Sequence, residues 1–297
     1  MDSQETKPPC RSKVPNSRKA IVFLMWARST TALFSPLSRN LAREINSYVT
    51  SLDFVWVYED KLENLNPRTL QWDSPVRLTS TVPLVSASWA LVDENKVMVC
   101  GGSDGQSVLK HAYEICCNGN VRRIKDMTLG RAQCGIVAWK QALYVFGSFF
   151  YGFEGGKTCE TLSLSMTTTS EWVQIGDMSK PRAQFTPVVW RNGIFLCGGT
   201  PSNNTVAVFD GNFVLLLELK DGGSAVSFAQ SENLVILTGS FISVLSVGKS
   251  GYTVECRRRP CSPVLNRSGV LLVGEVVVTL FKSQLLLHSA VDGHYLN

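Results

Sequence analysis

The chain has 297 residues, of which 44% are hydrophobic and 18% are charged, and its formal net charge is +5. This balance is typical of a globular protein, and the length suits one large all-β domain or two ordinary domains. The longest apolar run near the N-terminus, Ala20 to Ala27, is too short to span a bilayer, so the sequence gives no reason to expect a membrane protein.

Positive charge is concentrated at the N-terminal end. Between Thr6 and Arg43 there are eight lysines and arginines and no acidic residue. The remainder is close to neutral, so we expect no nucleic-acid binding by the body of the protein. Residues 1–19 contain three prolines and no periodic apolar pattern, which predicts a disordered basic tail. An alternative interpretation of the same acid-poor segment is a targeting sequence.

Cysteine and histidine usage bears on metals and on compartment. The nine cysteines form no C-x-x-C pair, and only three histidines are present, so zinc-type spacing cannot be built. Several cysteines lie inside apolar runs, where a free thiol behaves as a small hydrophobe. We therefore expect reduced cysteines, a cytoplasmic protein, no metal and no cofactor.

The first predicted elements precede the regular part of the chain. Ile21–Trp26 has the composition of a strand. Residues 37–49 carry leucine, isoleucine and valine at four-residue spacing, which predicts a short amphipathic helix that packs on the domain or docks on a partner. Asp53–Asp60 and the residues up to Pro75 read as further strands.

From Pro83 onward one pattern recurs: an apolar strand, a polar turn, and a second apolar strand that ends on glycine. The second strands end on glycine at five places, namely Gly102, Gly147, Gly199, Gly239 and Gly274. After each of the first three, two more short apolar strands follow. Four short strands per unit at this spacing predict the blades of a β-propeller, whose inner strands are buried on both faces.

The same residues carry a family resemblance. Gly101-Gly102 is followed by Tyr113 and by "DMTLGR" (Asp126 to Arg131), while Gly147 is followed by Trp172 and by "DMSKPR" (Asp177 to Arg182). This order of glycine, aromatic, methionine and arginine resembles the kelch repeat. The resemblance implies an all-β kelch-type propeller over residues 20–297, with six blades of four antiparallel strands and a helical insertion at about 37–49.

Catalytic chemistry finds little support in the sequence. The three histidines do not cluster, and paired carboxylates such as Asp93-Glu94 fall in predicted turns. Kelch-type copper oxidases need histidine and tyrosine ligands that this chain does not supply in a set. We expect no catalytic residues and no enzyme activity.

Five arginines are the candidate partner-binding residues: Arg131, Arg182, Arg257, Arg258 and Arg259. In the kelch family the position of Arg131 and Arg182 often points toward the central channel or the entry face. Their other possible role is to hydrogen-bond loop carbonyls and fix the spacing of the blades. The triple arginine is either a solvated strand edge or a site for an acidic peptide or phosphate.

The resemblance implies a non-catalytic protein-interaction module. Kelch proteins commonly bind protein partners, in cytoskeletal association or as substrate adaptors of ubiquitin ligases. We expect a monomer that binds protein, and neither nucleic acid nor membrane. Two alternatives remain: a kelch-fold enzyme such as a sugar epimerase with Glu and Arg in the channel, or a decayed structural paralogue.

Overall fold

The computed structural model describes residues 20–26, 52–58, 60–65, 74–83, 85–93, 95–149, 156–165, 170–200, 204–219, 225–230, 233–238, 241–247, 254–260, 270–273, 276–281 and 284–289. Over these ranges the protein is all-β, with 23 strands and no helix. The strands form six sheets, each built from strands that follow one another in the chain.

The first three sheets extend from Ala20 to Asp177. The first contains β1 (Ala20–Trp26), β2 (Leu52–Tyr58), β3 (Lys61–Leu65) and β4 (Val76–Arg77). The second contains β5 (Ala87–Asp93), β6 (Lys96–Gly101), β7 (Ala112–Cys116) and β8 (Val121–Arg123). The third contains β9 (Gly135–Trp139), β10 (Ala142–Phe146), β11 (Thr158–Ser163) and β12 (Trp172–Asp177).

The other three sheets follow the same order. The fourth contains β13 (Val188–Trp190), β14 (Gly193–Cys197), β15 (Thr205–Phe209) and β16 (Phe213–Glu218). The fifth contains β17 (Ala225–Gln230), β18 (Asn233–Thr238), β19 (Phe241–Val247) and β20 (Val254–Pro260). The sixth contains β21 (Val270–Val273), β22 (Val276–Phe281) and β23 (Gln284–Ser289).

The predicted hairpins are confirmed in the second to fifth sheets. In each, the first and second strands pair antiparallel across the turn expected from the sequence. The turn between β9 and β10 is Lys140-Gln141, and both residues have positive φ, 47° and 58°. Positive φ at both central residues matches the right-handed twist of the flanking strands, which explains why two residues suffice.

The first sheet differs from the expected four antiparallel strands. Ile21–Trp26 is a strand, as predicted, but β1 pairs parallel with β2, with Ala20 opposite Leu52. A parallel pair requires a long crossover, and the segment 27–51 between the two strands is long enough to supply it. The sixth sheet also departs, since it contains three described strands. The predicted disordered tail, the helix at 37–49 and the predicted glycine ends Gly239 and Gly274 lie outside the described residues.

The first five sheets pack face to face in chain order. On β6, Val97 and Val99 belong to a cluster with Leu62 of the first sheet, whereas Met98 and Cys100 belong to a cluster with residues of the third. Strand β14 repeats this division, because Ile194 and Leu196 pack with the third sheet and Phe195 and Cys197 with the fifth. Both faces of the second strand are therefore buried, which is why these strands are continuously apolar.

The first strands of successive sheets lie side by side. Strand β5 contacts β9, β9 contacts β13, and β13 contacts β17. The second to fifth sheets therefore approach one another at their first strands. The fourth strands β8, β12 and β16 are accordingly the most exposed, with Val173, Val214 and Leu215 among the exposed apolar side chains. No helix among the described residues has the length and hydropathy of a membrane span.

Burial on β14 yields the first prediction. Leu196 is completely buried between the third and fourth sheets. The substitution Leu196→Ala should lower the free energy of unfolding by about 2–5 kcal/mol, because it removes buried methyl groups and leaves a cavity. Val214→Ala on the exposed fourth strand is the control, with an expected change within about 0.5 kcal/mol. Urea unfolding followed by tryptophan fluorescence measures both, and equal effects would contradict the packing described.

Candidate interaction site at the glycine ends

In the second and third sheets, the glycine at the end of the second strand has a positive φ and almost no free space for a side chain. Gly101 has φ +71°, and a Cβ there would lie 2.0 Å from the carbonyl oxygen of Arg131. Gly147 has φ +67°, and its Cβ would lie 2.1 Å from the carbonyl oxygen of Arg182. Glycine is required because the backbone of the next arginine occupies the place of a side chain.

Two backbone hydrogen bonds fix each glycine end. The Gly102 amide donates to the Arg131 carbonyl at 2.8 Å, and the Ser148 amide donates to the Arg182 carbonyl at 3.1 Å. The amide of the following residue donates to the residue that opens its own sheet. The three described pairs are Ser103 to Val85 (2.8 Å), Phe149 to Ala132 (2.7 Å) and Thr200 to Ala183 (2.8 Å). This second hydrogen bond is therefore the same in three consecutive sheets, the second to the fourth.

Arg131 links the second sheet to the third. Its carbonyl binds the glycine end of the second sheet, while its side chain reaches the third. Nη1 donates to the carbonyls of Gly147 (2.8 Å) and Thr158 (2.9 Å), and Nε and Nη2 donate to Glu160 Oε1 at 3.1 and 2.7 Å. The side chain is 0% exposed. Arg131 is thus a clamp between two sheets, and all of these contacts are internal.

Glu160 neutralises this arginine and organises the loop before it. Its carboxylate is 1% exposed and also accepts hydrogen bonds from the amides of Thr128 (2.8 Å) and Leu129 (3.4 Å). These amides belong to the "DMTLGR" segment that leads to Arg131. Burying a charged pair is tolerated only when both ions are well hydrogen-bonded, and that condition is met here.

Arg182 makes the equivalent clamp between the third and fourth sheets, without a carboxylate. Nη1 donates to the carbonyls of Gly198 and Thr205, and Nη2 donates to Thr205 Oγ1. Nε is buried and has no hydrogen-bond partner among the described residues. Burial lowers the pKa of the Arg182 guanidinium to about 10.

Buried cysteines surround both clamps. Burial raises the pKa of the Cys100 and Cys134 thiols near Arg131, and it raises the pKa of Cys159 to about 12. These thiols are therefore protonated at neutral pH and chemically inert, as expected for small hydrophobes. The six cysteines whose side chains the structure describes form no disulfide.

A second row of residues runs beside the clamps, where the chain enters the first strands. Ser86, Gln133 and Gln184 all have left-handed backbones, with φ of 56°, 50° and 52°. The Gln133 amide donates to the Ser86 carbonyl at 2.8 Å, and the Gln184 amide donates to the Gln133 carbonyl at 2.8 Å. The Gln184 side-chain amide also donates to Gln133 Oε1 at 2.8 Å. The row ties three neighbouring sheets together.

The corners and this row form one surface, which we name the glycine-end face. It comprises Val85, Ser86, Ser103, Gln133, Phe149, Gln184 and Thr200. Phe149 is 50% exposed and Val85 is 44% exposed. The face therefore presents two apolar side chains beside a row of carboxamide and hydroxyl groups.

A groove of about 670 Å³ separates the outer strands of the second and third sheets. Its lining is mixed, with apolar Ile124 and Leu164 beside charged side chains. The charges pair with one another, for example Arg122 with Glu114 (3.1 Å) and Lys125 with Glu171 (3.2 Å). The lining holds four basic and three acidic side chains, and this near balance gives no indication of the ligand that would enter the groove.

The five arginines named from the sequence fall into two groups. Arg131 and Arg182 are buried, so neither guanidinium is at the surface to contact a partner. Both side chains instead bind backbone carbonyls of the neighbouring sheet, which is the alternative role that the sequence analysis gave them. Arg257, Arg258 and Arg259 lie on β20, whose register against β19 is described and whose side chains are not. Partner binding by that triplet stays a prediction.

Sequence reasoning missed Glu160 and the two glutamines. The signal for Glu160 was an acidic residue inside an otherwise uncharged strand, "TCETLS". The signal for the glutamines was the repeated "RAQ" at Arg131 and Arg182.

No protein-family model and no curated protein matches this chain. The kelch resemblance accordingly stays a prediction.

The glycine ends give the second prediction. Gly147→Ala should destabilise the protein by about 3 kcal/mol, since the new methyl would combine an unfavourable φ with a clash against the Arg182 carbonyl. Gly105→Ala is the matched control, because Gly105 also has positive φ (+93°) but no atom near its Cβ position. Only the backbone strain of about 1–2 kcal/mol is expected there. Thermal unfolding by circular dichroism compares them; a smaller effect at Gly147 would refute the close approach.

The buried ion pair gives the third prediction. Glu160→Gln should reduce the free energy of unfolding by about 3–5 kcal/mol, because it leaves Arg131 charged and buried without a counterion. The control is Glu171→Gln, which breaks an exposed pair with Lys125 and should change stability by less than about 1 kcal/mol. Urea denaturation measures both, and indistinguishable midpoints would rule out a structural role for the Arg131–Glu160 pair.

Proposed function

We propose that the chain is a six-bladed, kelch-type β-propeller that acts as a non-catalytic protein-interaction module. The stacking of consecutive sheets and the adjacency of β5, β9, β13 and β17 support a radial arrangement. In this proposal the glycine-end face binds a segment of a partner protein. The protein acts in the cytoplasm as a monomer, with a partner of the cytoskeletal or ubiquitin-ligase-substrate kind.

The observation that carries the proposal is the combination of a fixed frame with variable side chains. Ser103, Phe149 and Thr200 occupy equivalent corner positions, since each amide donates to the residue that opens its sheet. The backbone is the same at the three positions, whereas the side chains are a small hydroxyl, an aromatic ring and a branched hydroxyl. A rigid scaffold with residues that differ from unit to unit is how repeat proteins achieve selective binding.

The left-handed glutamines give further support. A left-handed backbone at a residue other than glycine costs about 1–3 kcal/mol, and such residues cluster at binding and catalytic sites. Gln133 and Gln184 carry this strain next to the exposed Phe149. Carboxamides suit the donors and acceptors of a peptide backbone, and Phe149 and Val85 supply apolar contact area for its side chains.

The epimerase alternative requires a channel carboxylate beside one of the clamp arginines. Glu160 lies beside Arg131, but it is buried and its hydrogen-bond acceptors are occupied by Arg131 and by two backbone amides. A substrate would have to displace these contacts to reach it. No observation on the described residues favours catalysis over binding as the function to test first.

Site-specific photo-cross-linking tests the proposal and gives the fourth prediction. A photoreactive amino acid placed at position 149 of the full-length protein in cells should cross-link one or a few partner proteins, identified by mass spectrometry. The same amino acid at position 214, on the exposed fourth strand of the fourth sheet, is the control and should not cross-link them.

The double substitution Gln133→Ala with Gln184→Ala should then reduce the yield of the position-149 cross-link at least about tenfold, if the glutamines contribute around 1.4 kcal/mol to binding. Circular dichroism checks that this variant is folded. Equal yields from positions 149 and 214, or no specific product from position 149, would contradict binding at the glycine-end face.

A further inference from the structure

Two exposed lysines occupy equivalent positions where the third strands of the second and third sheets begin. The Lys110 carbonyl accepts the amide of Met127 at 2.8 Å, and the Lys157 carbonyl accepts the amide of Met178 at 2.9 Å. Each lysine directly precedes the residue whose carbonyl binds the amide of the glycine at the corner. Both lysines therefore lie at the edge of their sheets that carries the glycine-end face.

These two lysines differ from the other basic residues in their contacts. Neither Lys110 nor Lys157 has an ion pair, a hydrogen bond or a ring contact from its side chain among the described residues. Every other lysine or arginine with a described side chain has at least one such contact or another electrostatic interaction, as Lys125 has with Glu171. The positive charges of the two lysines are thus available to a partner.

The acidic side chains at the same edge are engaged elsewhere. Asp104 accepts hydrogen bonds from two amides of its own loop. Asp126 pairs with Arg123 at 2.8 Å, and Asp177 accepts a hydrogen bond from the Gln174 side chain at 3.4 Å. Within the described part of the chain, no carboxylate lies within 4.0 Å of the ammonium group of either lysine.

The two lysines belong to the same two sheets as the exposed apolar side chains of the glycine-end face. Val85 opens the second sheet, and Phe149 follows the glycine end of the third. In the fourth sheet the position equivalent to the lysines is Asn204, whose carbonyl accepts the Leu219 amide, and the corner residue is Thr200. Positive charge and exposed apolar surface therefore coincide at the second and third sheets, and the equivalent positions of the fourth sheet have neither.

We propose that the partner segment bound at the glycine-end face is acidic and lies across the second and third sheets, an inference that rests on the proposed function. Its carboxylates pair with Lys110 and Lys157, and its apolar side chains contact Val85 and Phe149. Exposed charges at an interface accelerate association with a partner of opposite charge and disfavour partners of like charge. In a polypeptide, aspartate and glutamate supply the negative charge that such a surface selects.

Selection of random peptides by phage display on the immobilised full-length protein tests the acidic character directly. The enriched peptides should be rich in aspartate and glutamate and should contain at least one large apolar residue. Neutral or basic enriched peptides, or no enrichment, would overturn the inference. The photo-cross-link from position 149 judges the proposed function separately. A specific cross-linked partner together with peptides that are not acidic would refute the acidic segment and leave the interaction module standing.

Charge reversal then locates the site. The variant Lys110→Glu with Lys157→Glu should weaken binding of the most enriched peptide at least about tenfold in fluorescence polarisation, because two attractions become repulsions. The matched control is Lys140→Glu with Arg191→Glu, which changes the net charge equally at the hairpin turns, at the opposite ends of the second strands. The control should retain the affinity, and circular dichroism checks that both variants are folded. Equal weakening in the two variants, or none in the first, would overturn the assignment to Lys110 and Lys157.

Discussion

The close approach of an arginine carbonyl to a glycine without a side chain is the constraint on which the rest of the structure depends. At Gly101 and Gly147 the space of a Cβ is filled by the backbone of the residue that begins the link to the next sheet. The arginine at that point belongs to two sheets at once. Its carbonyl binds the glycine end behind it, and its guanidinium binds the glycine end and the third strand ahead of it. Each clamp thus sets the position of the following sheet, and the chain is built as a series.

This serial construction explains the composition of the inner strands. A sheet held between two neighbours buries both faces, so β6 and β14 have no polar face and read as unbroken apolar runs. The hydrophobic effect supplies the main favourable free energy, whereas the clamps add directionality that apolar packing lacks. A buried ion pair such as Arg131–Glu160 contributes little net stability, because desolvation of both ions offsets their attraction. Its contribution is geometric, because four hydrogen bonds from one planar guanidinium hold the strand, the loop and the corner in one register.

Features of the fold that depend on residues close together in the sequence could be predicted, whereas features that depend on distant residues could not. The hairpins of the second to fifth sheets were predictable, since turn chemistry such as Lys140-Gln141 and the apolar runs are encoded within a few residues. The glycine ends were also predictable, because a doubled glycine after an apolar strand indicates a positive φ or a close backbone approach at that point. The parallel pairing of β1 with β2 was not, as parallel and antiparallel strands have the same local composition. Nor was the burial of Arg131, since an arginine is expected at the surface until its partner, Glu160, 29 residues away, is known.

The burial of the clamp arginines also indicates which residues a partner can contact. A residue that holds the sheets together cannot vary without loss of the fold. Selectivity for a partner therefore has to come from neighbouring residues whose backbone is fixed and whose side chains can differ. The corner positions occupied by Ser103, Phe149 and Thr200 meet this condition, because the hydrogen bond that all three share is made by the backbone amide. The arginine motif is thus informative about function in an indirect way. It marks where the chain is rigid, and the residues that a partner can reach lie directly beside it.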